Sequence, residues 1–163
     1  MLKELEKISN FDALAEELQE IIKANSLDLA QIMVQSTAAD LGNLTAGAGR
    51  VYSLENTNEK DYNVLNPLFS GTILESYIKK YNGYRTRIMT MPGRHCYSVH
   101  MDPTPRIHIP IVTNEEAWMI WPYKNLCFKM PTGSVYWADT RKFHTFINGA
   151  NIPRIHVVMC IDA

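Results

Sequence analysis

Residues able to do metal chemistry fall at three positions, His100, Asp102 and His144. In His100-Met101-Asp102 two side chains share one face of an extended segment, because strands repeat every two residues. His144 follows 42 residues after Asp102 and comes from a separate strand. Two imidazoles and one carboxylate on one face hold Fe(II) and leave three coordination positions open for a chelating cosubstrate and dioxygen. Zinc is held by the same donor types, so the spacing alone leaves the metal open. Read alone, His-x-Asp is also met as a surface histidine beside a capping aspartate.

The arginines add a second kind of chemistry. Arg154 lies ten residues after His144, beyond a turn at 148–153, and is expected on the next strand, running back beside that ligand. A guanidinium is planar, permanently charged and able to bind a carboxylate bidentately. A buried cation beside a metal calls for an anion, such as the far carboxylate of a dicarboxylate whose other end chelates the metal. By alternation His156 shares the face of Arg154, and Arg106 and His108 repeat the pattern on the strand after Asp102. These four are the candidate cosubstrate-binding residues.

The elements that position these groups change character along the chain. Phe11, Leu14, Leu18, Ile21 and Ile22 follow helical spacing, with Ser9 or Asn10 as the cap. The apolar stretch 27–36 fits helix or strand. Residues 37–49 read as a loop and 56–61 as a turn. Asn66-Pro67 opens a second predicted helix, which Asn82-Gly83 ends. After Gly83, short β-branched and aromatic segments alternate with turn signals, predicting strands over 84–91, 96–100, 106–111, 117–121, 126–129, 134–137, 143–148 and 154–161. Eight short strands predict a double-sheet jelly-roll or cupin-like barrel. The fold class is therefore α+β, mainly β, with the N-terminal helices packed on one sheet. One domain over 1–163 is expected, with 1–83 helical and near the substrate and 84–163 forming the barrel.

His100-x-Asp102, His144 and Arg154 together resemble the pattern of the 2-oxoglutarate and Fe(II)-dependent oxygenases, and most of all their aspartyl/asparaginyl β-hydroxylase branch. The matching stretch runs from Met91 to Asp162, under half of the chain, and includes Pro92-Gly93, Arg106-x-His108, Gly133-x-Val135 and Asp139. The resemblance implies a double-stranded β-helix. It implies Fe(II) on His100, Asp102 and His144, and 2-oxoglutarate in contact with Arg106, His108 and Arg154. Mammalian peptide β-hydroxylases of this branch lack the carboxylate ligand; Asp102 supplies one, as in the free-proline hydroxylases. The interval from His100 to Arg106 is shorter than in the mammalian enzymes. The compact pattern also resembles small phage-borne oxygenases.

The implied activity is hydroxylation of an amino-acid residue in a peptide or protein, or of a free amino acid, consuming dioxygen and releasing succinate and carbon dioxide. A different class remains open: a metal-binding cupin that uses no 2-oxoglutarate and acts as an isomerase or ligand sensor. Arg154 separates the two, since a plain metal site does not need it.

Composition narrows the partners. The 163 residues are 46% hydrophobic and 20% charged, a globular balance. Net charge is -1, which argues against a generic nucleic-acid binder. Residues 1–80 carry 7 Lys and Arg against 12 Asp and Glu, and residues 81–163 carry 9 against 5, so the second half suits an anionic ligand. The charged start MLKELEKISN predicts neither a signal peptide nor a membrane span, and a cytoplasmic protein is expected. Three cysteines without close spacing predict no disulfide framework. Arg85 and Arg87 share a strand face expected to be solvated. Tyr97 has opposite parity to His100 and suits either core packing or cosubstrate contact. Asp139 is expected to organise a turn, and Trp118, Trp121 and Trp137 to pack in the core.

Overall fold

The β-branched and aromatic segments after Gly83 do form strands, and they pair into two facing antiparallel sheets. A computed structural model describes residues 1–51 and 57–163. Its elements are β1 (Leu2–Lys7), α1 (Phe11–Ala24), β2 (Gln31–Met33), β3 (Gln35–Ser36), β4 (Val64–Leu65), α2 (Ile73–Tyr81), β5 (Tyr84–Met91) and β6 (His95–Cys96). Then come β7 (Arg106–Val112), β8 (Ala117–Trp121), β9 (Leu126–Phe128), β10 (Ser134–Ala138), β11 (Thr145–Asn148) and β12 (Arg154–Cys160). The larger sheet has six strands in the order β1-β10-β7-β12-β5-β2, the smaller four in the order β6-β11-β8-β9. This is a double-stranded β-helix.

Side-chain alternation divides the apolar residues between two cores. Met91, Met119, Trp121, Tyr136, Ala138 and Phe146 fill the space between the sheets. Ile88, Ile107, Ile109, Val157 and Met159 point out of the larger sheet and meet Leu14 and Leu18 of α1 and Leu74 and Ile78 of α2. The helices thus cover one sheet from outside. Trp121 is fully buried and its indole N–H donates to the Asp139 carbonyl at 3.0 Å.

Three expectations are corrected. First, the charged N-terminus forms β1, an edge strand paired antiparallel with β10 from Leu2↔Ala138 to Lys7↔Ser134. Second, α2 does not start at Asn66-Pro67, which forms only a short 3-10 turn over Pro67–Phe69. The helix starts after Thr72, whose Oγ1 accepts from the Glu75 N–H while the Glu75 carboxylate accepts from the Gly71 N–H at 2.7 Å. Third, β12 does not run beside the strand that follows His144. It lies in the larger sheet between β5 and β7, whereas β11 belongs to the smaller one. Arg154 therefore faces the histidine's strand across the barrel.

The stretch 27–36 resolves into β2 and β3, and 37–49 is a loop. Of the predicted turn at 56–61, Asn56 lies outside the described residues, and Glu59–Asp61 is a 3-10 turn. No helix among the described residues is long and apolar enough to cross a membrane.

Candidate metal centre and anion cavity

His100 and His144 are brought together by their backbones. The His100 N–H donates to the His144 carbonyl at 3.0 Å, and the His144 N–H to the His100 carbonyl at 2.9 Å. The Asp102 N–H donates to the Thr140 carbonyl at 2.8 Å, which fixes the third residue beside them. One ligand atom from each of the three lies within 4.8 Å of the others. The Nδ1 of His100 is 2.7 Å from the Ser98 carbonyl, and the Nδ1 of His144 is 3.0 Å from the Lys142 carbonyl. A carbonyl only accepts, so each Nδ1 carries its hydrogen and each Nε2 keeps a lone pair. Burial holds the His144 pKa below the ordinary value, which favours the neutral, ligating form.

The three ligands open on a cavity of about 210 Å³, smaller than the roughly 300–1,000 Å³ of a drug-sized cleft. Arg154 enters it from β12, 2% exposed. Its Cζ lies 3.9 Å from the centroid of the Phe146 ring, and its Nε and Nη1 have no hydrogen-bond partner among the described residues. Burial pushes its pKa down to about 10, opposed by the Tyr97 side chain. The group stays charged at neutral pH, with no carboxylate paired to it among the described residues. Tyr97 lines the same cavity, so its opposite strand parity does not turn it away.

The remaining candidates divide. Arg106 and His108 line the cavity, but Arg106 already has anionic partners: its Nη2 donates to Glu59 at 2.9 Å, and its Nε lies 3.4 Å from Asp102. His156 shares the inward face as expected, yet it is packed behind the cavity against Phe146 and His108, with ring centroids 5.5 and 5.8 Å away. Neither ring nitrogen of His108 or His156 has a partner among the described residues. Burial, then the Arg154 charge, holds both pKa values well below the ordinary one. Asp139 accepts from the Arg141 side chain at 2.7 Å, in keeping with a turn-organising role.

Arg85 and Arg87 are not solvated; they are 1% and 6% exposed. Arg85 has φ 48° and ties the chain before the barrel to β5. It donates to the carbonyls of Gly47 and Gly49 and to Glu59, the last at 2.5 Å. Glu59 is the buried counter-charge that sequence reasoning missed. It is 5% exposed and shared between two guanidinium groups. Only its place in a polar turn was visible beforehand, because its partners lie 26 and 47 residues away.

No protein-family model and no curated protein sequence matches the chain. Two solved structures resemble it over nearly its full length. A prolyl hydroxylase in complex with a hypoxia inducible factor oxygen degradation domain peptide fragment, from Trichoplax adhaerens, is 14% identical, with TM-score 0.51, over 99% of this chain and 83% of that one. A prolyl-4-hydroxylase from Pseudomonas putida is 10% identical, also with TM-score 0.51, over 99% of this chain and 86% of that one. The likeness is one of fold, and it includes the N-terminal helices as well as the barrel.

Proposed function

We propose that the chain is an Fe(II)- and 2-oxoglutarate-dependent dioxygenase that hydroxylates an amino-acid residue in a peptide or protein, or a free amino acid. In this reading residues 1–163 act as one oxygenase domain. The observation that carries it is Arg154: a buried, charged guanidinium without a counter-anion among the described residues, opening on the cavity that also holds two imidazoles and a carboxylate. Such a cation calls for an anion, and the distal carboxylate of a dicarboxylate chelated by the metal supplies one.

The donor set fits Fe(II), two nitrogens and one carboxylate oxygen leaving positions free. When bound, Fe(II) with 2-oxoglutarate supplies dioxygen activation, coupling decarboxylation of the keto acid to succinate and carbon dioxide with hydroxylation of a C–H bond. The protein's own groups do the positioning. His100 and His144 present Nε2 because Ser98 and Lys142 hold their Nδ1 hydrogens. Arg106 sets its guanidinium Nε 3.4 Å from the Asp102 carboxylate, a positive charge beside the third donor. Arg154 receives the distal carboxylate, and the Phe146 face holds its guanidinium plane in place. Met119 and Phe146 in the wall keep bulk water out, which strengthens each of these charge contacts.

The test is succinate release from 2-oxoglutarate. Turnover should disappear with a strong chelator and return with Fe(II) but not Zn(II), because zinc has no second oxidation state to offer. His100→Ala and His144→Ala should abolish it. Full turnover with zinc, or wild-type turnover in either histidine variant, would overturn the proposal.

A further inference from the structure

Arg87 is a second buried cation in the same cavity, and the proposed cosubstrate does not use it. It projects from β5 and is 6% exposed. Its Nη1 is 3.3 Å from the Gln31 side-chain oxygen, and its Nε has no partner among the described residues. Burial, then the neighbouring Arg85 charge, lowers its pKa to about 10, so it remains a cation at neutral pH.

Among the described residues the buried charges around the cavity do not balance. Among the described residues, four buried guanidinium groups line it: Arg85, Arg87, Arg106 and Arg154. Glu59 pairs with Arg85 and Arg106, and Asp102 with Arg106. Among the described residues no carboxylate pairs with Arg87 or Arg154. A keto diacid chelated at one end has a single distal carboxylate to give, and it neutralises one of them.

Register sets the two cations apart along the sheet. On β12, Arg154 stands opposite Met91, while Arg87 stands opposite Val158, four residues further along. At about 3.3 Å per residue, their backbones are roughly 13 Å apart. Arg87 lies in the row of His108, since Val158 pairs with both, towards the Arg106 and Asp102 end of the cavity. Arg50 also lines the cavity, its guanidinium donating to the Ser98 hydroxyl at 3.0 Å.

Resting on the oxygenase reading, we infer that Arg87, oriented by Gln31, is a substrate-anion subsite, and that the molecule hydroxylated here carries a carboxylate near the oxidised carbon. The carboxylate belongs either to a free acid such as an amino acid or to an acidic side chain within a peptide.

The experiment uses full-length protein loaded anaerobically with Fe(II), titrated first with 2-oxoglutarate and then, at saturation, with paired probes by calorimetry. The pairs are free L-amino acids against their α-amides, and blocked tripeptides centred on Asp against those centred on Asn. At least one carboxylate should bind roughly 10- to 100-fold more tightly than its amide, the range expected for a hydrogen bond to a charged group. Whether the responding pair is free or peptidic identifies the source. Arg87→Gln should erase the preference, and Arg87→Lys should restore part of it. The 2-oxoglutarate affinity of Arg87→Gln should stay near wild type.

Absence of binding by every carboxylate probe would overturn the inference, as would equal binding of acids and amides or an undiminished preference in Arg87→Gln. Loss of 2-oxoglutarate affinity in Arg87→Gln would instead make Arg87 part of the cosubstrate site, which also overturns it. Failure of wild type to bind 2-oxoglutarate while still preferring acids through Arg87 would sink the oxygenase reading and leave the subsite standing.

Discussion

Arg106 and Asp102 face each other with the guanidinium Nε 3.4 Å from the carboxylate Oδ2, and the same arginine reaches back to Glu59 through Nη2 at 2.9 Å. The candidate metal ligand is thereby linked to a carboxylate in a distant turn. Glu59 also receives Arg85, so one buried anion offsets two buried cations.

Glu59→Gln should therefore destabilise the protein strongly. Removing the carboxylate takes from Arg85 its one carboxylate partner among the described residues and leaves Arg106 with Asp102 alone, and breaking a buried pair costs about 3–5 kcal/mol. Urea unfolding of the metal-free protein measures it. A loss below about 1 kcal/mol, the range of exposed pairs, would show that Glu59 is not the counter-charge the geometry makes it.

Acid should weaken the metal-free fold in a defined window. His108 and His156 are held neutral when folded, first by burial and then by the Arg154 charge. Unfolded, each regains an ordinary pKa of about 6.5. Below that pH the unfolded chain binds protons that the folded chain does not, so stability is full above it and falls as pH drops. The slope is at most about 1.4 kcal/mol per pH unit for each histidine. Urea midpoints between about pH 7 and pH 5, with chelator present, should show it, and His156→Phe should lower the slope without abolishing it, because His108 and His144 are also held below their ordinary values. A flat profile would contradict the neutral assignment.

Gly93 owes its place to space and not to an unusual φ. A Cβ there would meet the Ala150 carbonyl oxygen at 2.5 Å and the Asn151 backbone at 2.6 Å. Both belong to the turn that delivers Arg154 to β12, and the Arg94 N–H donates to the Ala150 carbonyl at 2.9 Å. Gly93→Ala should push this turn outward and cost about 1–3 kcal/mol, as overpacking does. Thermal unfolding reports the stability. An unchanged melting temperature would show that the turn yields freely.

The barrel was legible because its strands are short, alternating and punctuated by Pro, Gly and Asn; β5 and β8 match their predicted ranges, and β7 and β12 differ by a residue at one end. Two features hid β1. Its leucines are three residues apart, which breaks the period of two, and a register shift falls between Glu4 and Glu6. The candidate triad was legible because His-x-Asp sets two donors on one side of an extended segment, although the strand predicted over 96–100 forms only as His95–Cys96 and His100 keeps a single bridge to His144. The state of Arg85 and Arg87 was not, because charge alone predicts exposure and the carboxylate that shields Arg85 sits in a different turn. The facing position of Arg154 depends on which sheet β12 joins, and short-range pattern carries no information about that.

The central claim is that Arg154 holds the far carboxylate of 2-oxoglutarate while His100, Asp102 and His144 hold Fe(II). Anaerobic titration of 2-oxoglutarate into Fe(II)-loaded protein, followed by the visible charge-transfer absorption of an Fe(II)–keto-acid chelate, tests both parts at once. Wild type should give a saturable band. Arg154→Ala should weaken the affinity by roughly two to four orders of magnitude, the cost of leaving a desolvated anion unpaired. Arg154→Lys should fall between, keeping the charge but losing the planar fork. A wild type without the band, or an Arg154→Ala protein with unchanged affinity, would contradict the account.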